Sequence, residues 1–426
     1  MHNLRELFSE EQFEASVEAL GHRGFDLNES DRDAYHNVHD LQIERDEFRA
    51  AKNRISEQFK DADTQNRVQL RDQIADIGSK LTVVEEALEA VEPSFTARML
   101  SMPNISAAHV PIGVSEDDNV VISEHGEIRI SKAGSMLDHL TLGTRLGIID
   151  NENAAQLSGS KFSVLRSKGA VLKRALVNFM LDSAAGNGYE EVEVPYLVKP
   201  DVMQGTGQLP KFEDDMFQTT DNKGNPLYLI PTTEVPLTNL LRTHLFTTNE
   251  LPYRLTGYSE NFRREAGKAG QDTKGLIRNH QFPKIELVRI THPESSWDSF
   301  YEMIDEASLV LDALQLPYRT IDLCTGDLGI AALATRDLEV WLPSQNRYLE
   351  VSSVSNTGDF QARRMGMKYL DETTRKRDFV HTLNGTAVAV GRTLACIIEN
   401  GQNPEGSIDI PEVLHDYTKF SKISLD

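Results

Sequence analysis

Cysteine is nearly absent from this chain: its 426 residues include two, Cys324 and Cys396, and no CxxC pair. A disulfide framework and a cysteine-based zinc site are thereby excluded as organising features, and a reducing compartment fits. Long apolar runs are also absent, and nothing approaches the roughly 18–20 residues of a membrane span. The opening residues, MHNLRELFSEEQFE, carry acids where a secretory leader would carry basic residues and then an apolar core. A cytoplasmic protein with no membrane partner is expected. The phosphate-cradling pattern GxxxxGK[ST] is missing. Positive charge is in the minority, with 44 Lys and Arg against 66 Asp and Glu and a net charge of −22. Such a chain repels nucleic acid as a whole, so any contact with it must rest on a local basic patch.

What is present begins with a heptad seam. Leu70, Ile74, Ile77, Leu81, Val84, Leu88 and Val91 are spaced 4, 3, 4, 3, 4, 3. This is the average of about 3.5 residues expected of a coiled-coil helix. The same alternation runs through Ala34, Val38, Leu41, Arg45, Phe48, Lys52, Ile55 and Phe59. Arg45 and Lys52 interrupt the apolar stripe, but their stems can cover it. The polar stretch DADTQNR (61–67) separates the two runs and makes them antiparallel neighbours, a hairpin of about residues 30–92. Pro93 and Pro103 are expected to end the helical pattern. On periodicity alone the hairpin is equally a dimerisation coiled coil or the core of a bundle.

Beyond Pro103 the character changes. NVVISE (119–124) and EIRIS (127–131) are short strand candidates, and 163–185 has the apolar face of a helix. GYEEVEVPYLV (188–198), LYLIP (227–231), RLTGYSENF (254–262), FPKIELVRI (282–290), YRTIDL (318–323), LEVWLP (338–343) and RYLEVSSVS (347–355) follow as strands. Helices are expected at 295–315 and 388–400. Runs of strands with helices not strictly alternating point to an α+β fold with a largely antiparallel sheet.

The chemistry concentrates in NFRREAGKAGQDTKGLIRNHQFPKIELVRI (261–290). Two strand candidates bracket a loop with Gly267, Gly270 and Gly275 and the cations Arg263, Arg264, Lys268, Lys274 and Arg278. A cation-rich, glycine-bearing loop can wrap polyphosphate, with arginine giving bidentate geometry and constant charge. Glu265 among them could accept from an adenine amino group or orient an arginine.

This string resembles the second signature motif of class II aminoacyl-tRNA synthetases, in the form FRxEAGxxGxDTxGLIRxHQFxKxE found in the seryl-tRNA synthetase family. GYEEVEVPYLV is similar to the first class II motif, a helix-then-strand dimer element. TGQLPKF (206–212) and IPTTEVPLTN (230–239) resemble the serine-site segment, and LNGTAVAVGRTLACIIENGQ (383–402) the third motif. CTGDLG (324–329), DLEVWLPSQNRYLEVSS (337–353) and DFQARR (359–364) also match. The resemblance spans essentially the whole chain, with the hairpin as the family's N-terminal arm.

The resemblance implies a tRNA-binding domain at 1–104 and a class II catalytic domain at 105–426. It implies ATP-dependent attachment of L-serine to tRNA(Ser) through seryl-adenylate, serylation of tRNA(Sec) where that tRNA is present, and a homodimer. Thr232, Thr233, Glu234, Glu286 and Thr386 would form the serine site, with Glu234 on the ammonium group and Thr386, at the start of the third-motif helix, on the side chain. Arg263, Arg264, Glu265, Phe282, Glu350, Val351, Ser352, Ser353 and Arg392 would bind ATP. Among them Arg263 would hold the α-phosphate, Arg392 the γ-phosphate, and Phe282 would stack on adenine. Arg263, Glu265 and Arg392 would carry the catalysis. Glu350 and Ser353 would hold Mg²⁺, a hard cation suited to oxygen ligands. Gln271, Ala334 and Arg336 depart from the family pattern. Two rival readings are a ligase that delivers serine to another acceptor and a non-catalytic tRNA-binding protein. The retained arm counts against the first, and the intact Arg263, Glu265, Glu286, Glu350 and Arg392 set against the second.

Overall fold

The computed structural model describes residues 1–425 except 62, 131–135 and 267–274, and of Asp61 and Thr64 it describes the backbone alone. The chain divides into two compact units, His2–Met102 and Pro103–Asp426, with Met1 counted in the second.

In the first unit the hairpin is longer than the heptads predict. Helix α1 spans Glu29–Asp61 and α2 spans Thr64–Ser101, roughly 50 and 57 Å at 1.5 Å per residue. The link is shorter than the polar stretch 61–67, because Asp63 caps α2 by accepting from Asn66 N at 2.9 Å. Pro93 does not end α2 but lies inside it. An interior proline costs about 3 kcal/mol. Packing downstream offsets this: Phe95 joins the cluster of Val38, Val84 and Leu88, and Arg98 grips Asp31 of α1 through Nε and Nη2, both at 3.0 Å. Every seam residue named above is buried or half-buried, Arg45 and Lys52 included.

The second unit is built on an eight-stranded sheet. Its strands in chain order are β1 (Val120–His125), β2 (Glu190–Glu191), β3 (Tyr253–Phe262), β4 (Gln281–Thr291), β5 (Tyr318–Asp322), β6 (Ala334–Leu342), β7 (Arg347–Asn356) and β8 (His381–Ala389). They lie in the order β1-β5-β6-β7-β8-β4-β3-β2, antiparallel throughout except for the β2–β3 pair. Two strand expectations fail. Residues 127–130 are not a strand: Arg129 turns to the carbonyls of Asn400 and Gln402 instead. Residues 188–198 supply two short strands rather than one. Between them 192–196 forms no continuous ladder, because its two ends pair with different neighbours: Val192 N donates to Thr256 O at 2.8 Å, and Tyr196 O accepts from Ile230 N at 3.0 Å.

Helices α3 (His139–Arg145), α4 (Ser167–Gly186), α5 (Glu234–Asn239), α6 (Ser296–Ala313) and α7 (Val390–Asn400) complete the frame. Leu172, Leu176 and Met180 of α4, Met303 and Ala307 of α6, and Leu394 and Ile397 of α7 share one core with Ile285, Leu338, Val340 and Val351 of the sheet. Burying a side chain of this size contributes about 1.5–3 kcal/mol. The strand period of two then turns the intervening polar residues, such as Glu286, Asp337 and Glu339, to the cavities that the sheet supports. The KFSKI segment at 419–423 serves the fold: Lys422–Ile423 pairs with Ile408–Asp409.

Candidate active site

A cavity of about 340 Å³ opens over β4, β7, β8 and the first turn of α7. Its floor is set by register. Glu286 of β4 lies directly opposite Thr386 of β8 on one side and Gly257 of β3 on the other. Thr386 is a strand residue, four positions before α7 begins, and not at the start of that helix as expected. The ladder continues past it because an irregularity between Thr386 and Ala389 lets β8 keep pairing with β4 up to Lys284.

One part of the cavity is acidic and buried. Glu234 opens α5, and its Oε1 accepts from Gln361 Nε2 at 2.6 Å and from Asn384 Nδ2 at 3.1 Å. Burial first, and then the nearby Glu286 carboxylate, push Glu234 up to about 7. Burial likewise raises Glu286. Lys284, also buried, pairs with Glu286 and donates to Thr232 Oγ1 at 2.6 Å. Two carboxylates, one internal cation and the hydroxyls of Thr232 and Thr386 suit a small zwitterion that brings its own ammonium group.

The other part is cationic. Arg263 leaves the end of β3 and is anchored by Nε to Pro231 O at 3.2 Å. Its guanidinium stands 5.2 Å from the ring centre of Phe282 and within electrostatic reach of Glu265, Arg392, Glu350 and Glu286. His280 braces the backbone of the same residue: Arg263 N donates to His280 O at 3.0 Å, and His280 Nδ1 lies 3.0 Å from Arg263 O. Glu265 is held at φ +49, in the left-handed region, and pairs with Arg278. Arg392 is fixed by Nε to Ile277 O at 3.2 Å and by Nη1 to Glu350 O at 2.8 Å. Gly391 beside it lets Leu276 pass close, since a Cβ there would meet Leu276 O at 2.9 Å.

The oxygen donors at this end fit a hard divalent cation. Glu350 and Ser353 line the cavity, and Asp337 pairs in register with Ser353. Asp337 is buried, its Oδ1 has no hydrogen-bond partner, and burial together with Glu350 pushes its carboxyl well above the usual range. Among the described residues no group of three His, Cys, Asp or Glu could hold a metal alone. A cation here would therefore complete its shell with phosphate and water, as Mg²⁺ commonly does.

Of the residues expected at the site, Thr232, Glu234, Arg263, Glu265, Phe282 and Glu286 line the cavity, as do Glu350, Val351, Ser353, Thr386 and Arg392. Three others do not. Thr233 is buried against Ser259 with Oγ atoms 2.7 Å apart, Ser352 bonds to Thr386 O, and Arg264 is exposed, with its backbone N–H on Asp215 O. Gly267, Lys268, Gly270, Gln271 and Lys274 lie outside the described residues. Arg336 is a structural residue that clamps Asp322 of β5 at 2.6 and 2.9 Å, and Ala334 is buried in the core. Sequence reasoning missed Lys284, Gln361 and Asn384, although each sits within a motif string: FPKIE, DFQARR and LNGT.

The chain has close counterparts among known proteins. A serine--tRNA ligase from Mycoplasmopsis agalactiae is 46% identical over 387 residues, covering 91% of this chain and 90% of that protein. The chain belongs to the seryl-tRNA synthetase family. Residues 1–106 match the Seryl-tRNA synthetase N-terminal domain, and 216–401 match the tRNA synthetase class II core domain (G, H, P, S and T). A serine--tRNA ligase from Hydrogenobaculum is 50% identical over 321 residues, or 75% of each chain. Among solved structures, the seryl-tRNA synthetase of Pyrococcus horikoshii complexed with ATP aligns over 100% of both chains with a TM-score of 0.87 and 32% identity. As a seryl-tRNA synthetase family member the chain is an ATP-using class II ligase, and none of its described helices is long and apolar enough to cross a membrane.

Proposed function

We propose that this protein joins L-serine to ATP as seryl-adenylate and passes the seryl group to tRNA(Ser), and to tRNA(Sec) where that tRNA is present, as a cytoplasmic homodimer. The observation that carries the reading is a single cavity that combines buried Glu234 and Glu286 with Arg263 and Arg392. The carboxylates suit an amino acid's ammonium group and the arginines suit a triphosphate.

The first step needs little proton transfer. The serine carboxylate attacks the α-phosphorus in line and pyrophosphate leaves. Arg263 offsets charge at the transferring phosphorus and Arg392 on the departing group, both held in place before substrate arrives. Phe282 gives adenine a face to stack on. Glu350 and Ser353 would hold Mg²⁺, which when bound supplies further charge neutralisation on the phosphates. In the second step a terminal ribose hydroxyl of the tRNA attacks the seryl carbonyl and AMP leaves. ATP–pyrophosphate exchange that depends on serine, followed by charging of tRNA(Ser), tests the reading; exchange with no serine dependence would reject it.

Two expectations follow from the acidic end. Thr386→Val removes a hydroxyl at nearly constant volume. The KM for serine should rise about tenfold, the worth of one hydrogen bond to a small polar ligand, and the preference over alanine should narrow. Unchanged serine/alanine discrimination removes Thr386 from the serine site.

Glu234 must be ionised to hold an ammonium group, and its carboxyl is pushed up to about 7. Its protonated form gains as pH falls through that value, so kcat/KM for serine should fall by about tenfold per unit below it and level off above. In Glu234→Gln the overall value drops and that limb disappears. A limb that persists unchanged assigns the titration to another group.

A further inference from the structure

His139 belongs to none of the motifs that carry the chemistry, yet it sits where three parts of the second unit meet. It is the first residue of α3 and is buried. Its backbone N and its ring Nδ1 each lie 2.9 Å from Oε1 of Glu399, a fully buried residue in the last turn of α7. The other oxygen of Glu399 accepts from Ser344 N at 3.1 Å, so that carboxylate is held from both sides. The remaining ring nitrogen, Nε2, is 3.2 Å from Leu276 N.

These partners fix the tautomer. A backbone N–H only donates, so Nε2 accepts; the ring proton is then on Nδ1, donated to Glu399. Gly275 shows how close the loop backbone runs to the ring. It has φ +69, and a Cβ on it would stand 2.3 Å from His139 Nε2. Leu276, Ile277 and Arg278, which follow, line the cavity beside Arg392. The first turn of α7 already reaches this segment through Arg392 and Ile277 O. The last turn of α7 reaches it through Glu399 and His139.

We propose that His139 is a positioning residue whose imidazole latches the Leu276 backbone to α7, and so holds the wall 276–278 in the shape that ATP requires. It touches no substrate. The inference rests on the reading of that wall as part of the ATP site.

Two amide replacements separate the latch from simple packing. His139→Gln can present its amide oxygen to Leu276 N–H in place of Nε2. His139→Asn keeps a donor near Glu399 but is too short to reach Leu276. Both lose the ring, so loss of packing is common to them. With His139→Asn the KM for ATP in serine-dependent exchange, and the Kd for ATP by calorimetry, should each rise about tenfold, as expected when one buried N–H loses its acceptor. The KM for serine and kcat should stay within about twofold, and His139→Gln should recover most of the ATP affinity. Equal ATP affinity in the two variants, or a change that falls on kcat or on serine instead, overturns the latch. Asn-specific weakening of ATP binding in a protein that shows no serine-dependent exchange supports the latch and rejects the functional reading alone.

Discussion

Arg392→Ala and Arg263→Ala should each lower serine-dependent pyrophosphate exchange by about 10²–10³-fold, or about 2.7–4 kcal/mol, the usual cost of removing one preorganised donor from a developing charge. The magnitude follows from how the side chains are held. Arg392 is tied to the carbonyls of Ile277 and Glu350, and Arg263 to that of Pro231. Carbonyl oxygens orient a guanidinium without neutralising it. Arg392 also lies 3.2 Å from the Glu350 carboxylate, but that side chain is 46% exposed and screened by water, so the pair is weak and would leave the arginine able to act on the phosphates of the proposed ATP site. Lysine in either place should recover little, since a point charge cannot hold carbonyls and a phosphate in one plane. The loss should appear in kcat with intact tertiary structure by near-ultraviolet circular dichroism. Near-native exchange in both variants would reject their assignment to the phosphates.

The second large effect should come from the arm and fall on a different activity. Replacing residues 39–91 by a short Gly/Ser linker keeps the Asp31–Arg98 clamp and the Tyr35–Phe95 contact. Because His2–Met102 is compact in its own right, exchange should stay within a few-fold of the full chain while tRNA charging collapses. The arm's grip should be largely on phosphate and sugar, and so weaken with salt. The arm's cations differ in how exposed they are for it, with Lys60, Arg67 and Arg71 near the tip all exposed. Arg49 is already paired with Glu85 at 2.6 Å and Arg45 with Asp46 at 2.8 Å, while Lys52 is half-buried and Arg54 exposed. If exchange and charging fall together, the arm belongs to the folding core. If charging survives, the hairpin is a dimerisation or partner-binding element instead.

How far the sequence reaches depends on the length of each pattern. The strands around 254–262, 282–290 and 347–355 were legible because each carries β-branched and aromatic residues across a span of nine, and each becomes a strand of ten or eleven residues. The helices at His139–Arg145, Pro200–Thr206 and Phe360–Met365 were not, because two turns or fewer carry no measurable period. Pro93 misled for a different reason: its cost is local, while Phe95 and Arg98 add their contacts a turn later. The cavity residues were legible only as an ordered string. Lys284 reads in isolation as a surface lysine between strand residues; the strand period of two puts it on the face of Glu286, but nothing in the sequence brings Thr232 against it. His139 is still less legible, since its partners Leu276 and Glu399 lie 137 and 260 residues away.

The bare glycines of the site have a consequence for how such a chain can change over time. Gly275 leaves room for the His139 ring, and Gly391 leaves room for the Leu276 carbonyl. Each is a space in one motif shaped by an atom in another part of the sequence. A single added carbon at Gly391 would press on backbone at 2.9 Å, where no side chain can swing aside. Drift in either motif is therefore answerable to the other, and a segment borrowed from a distant relative would have to bring its counterpart with it. The second and third motifs, far apart along the chain, meet as one piece of geometry at Leu276 and Gly391.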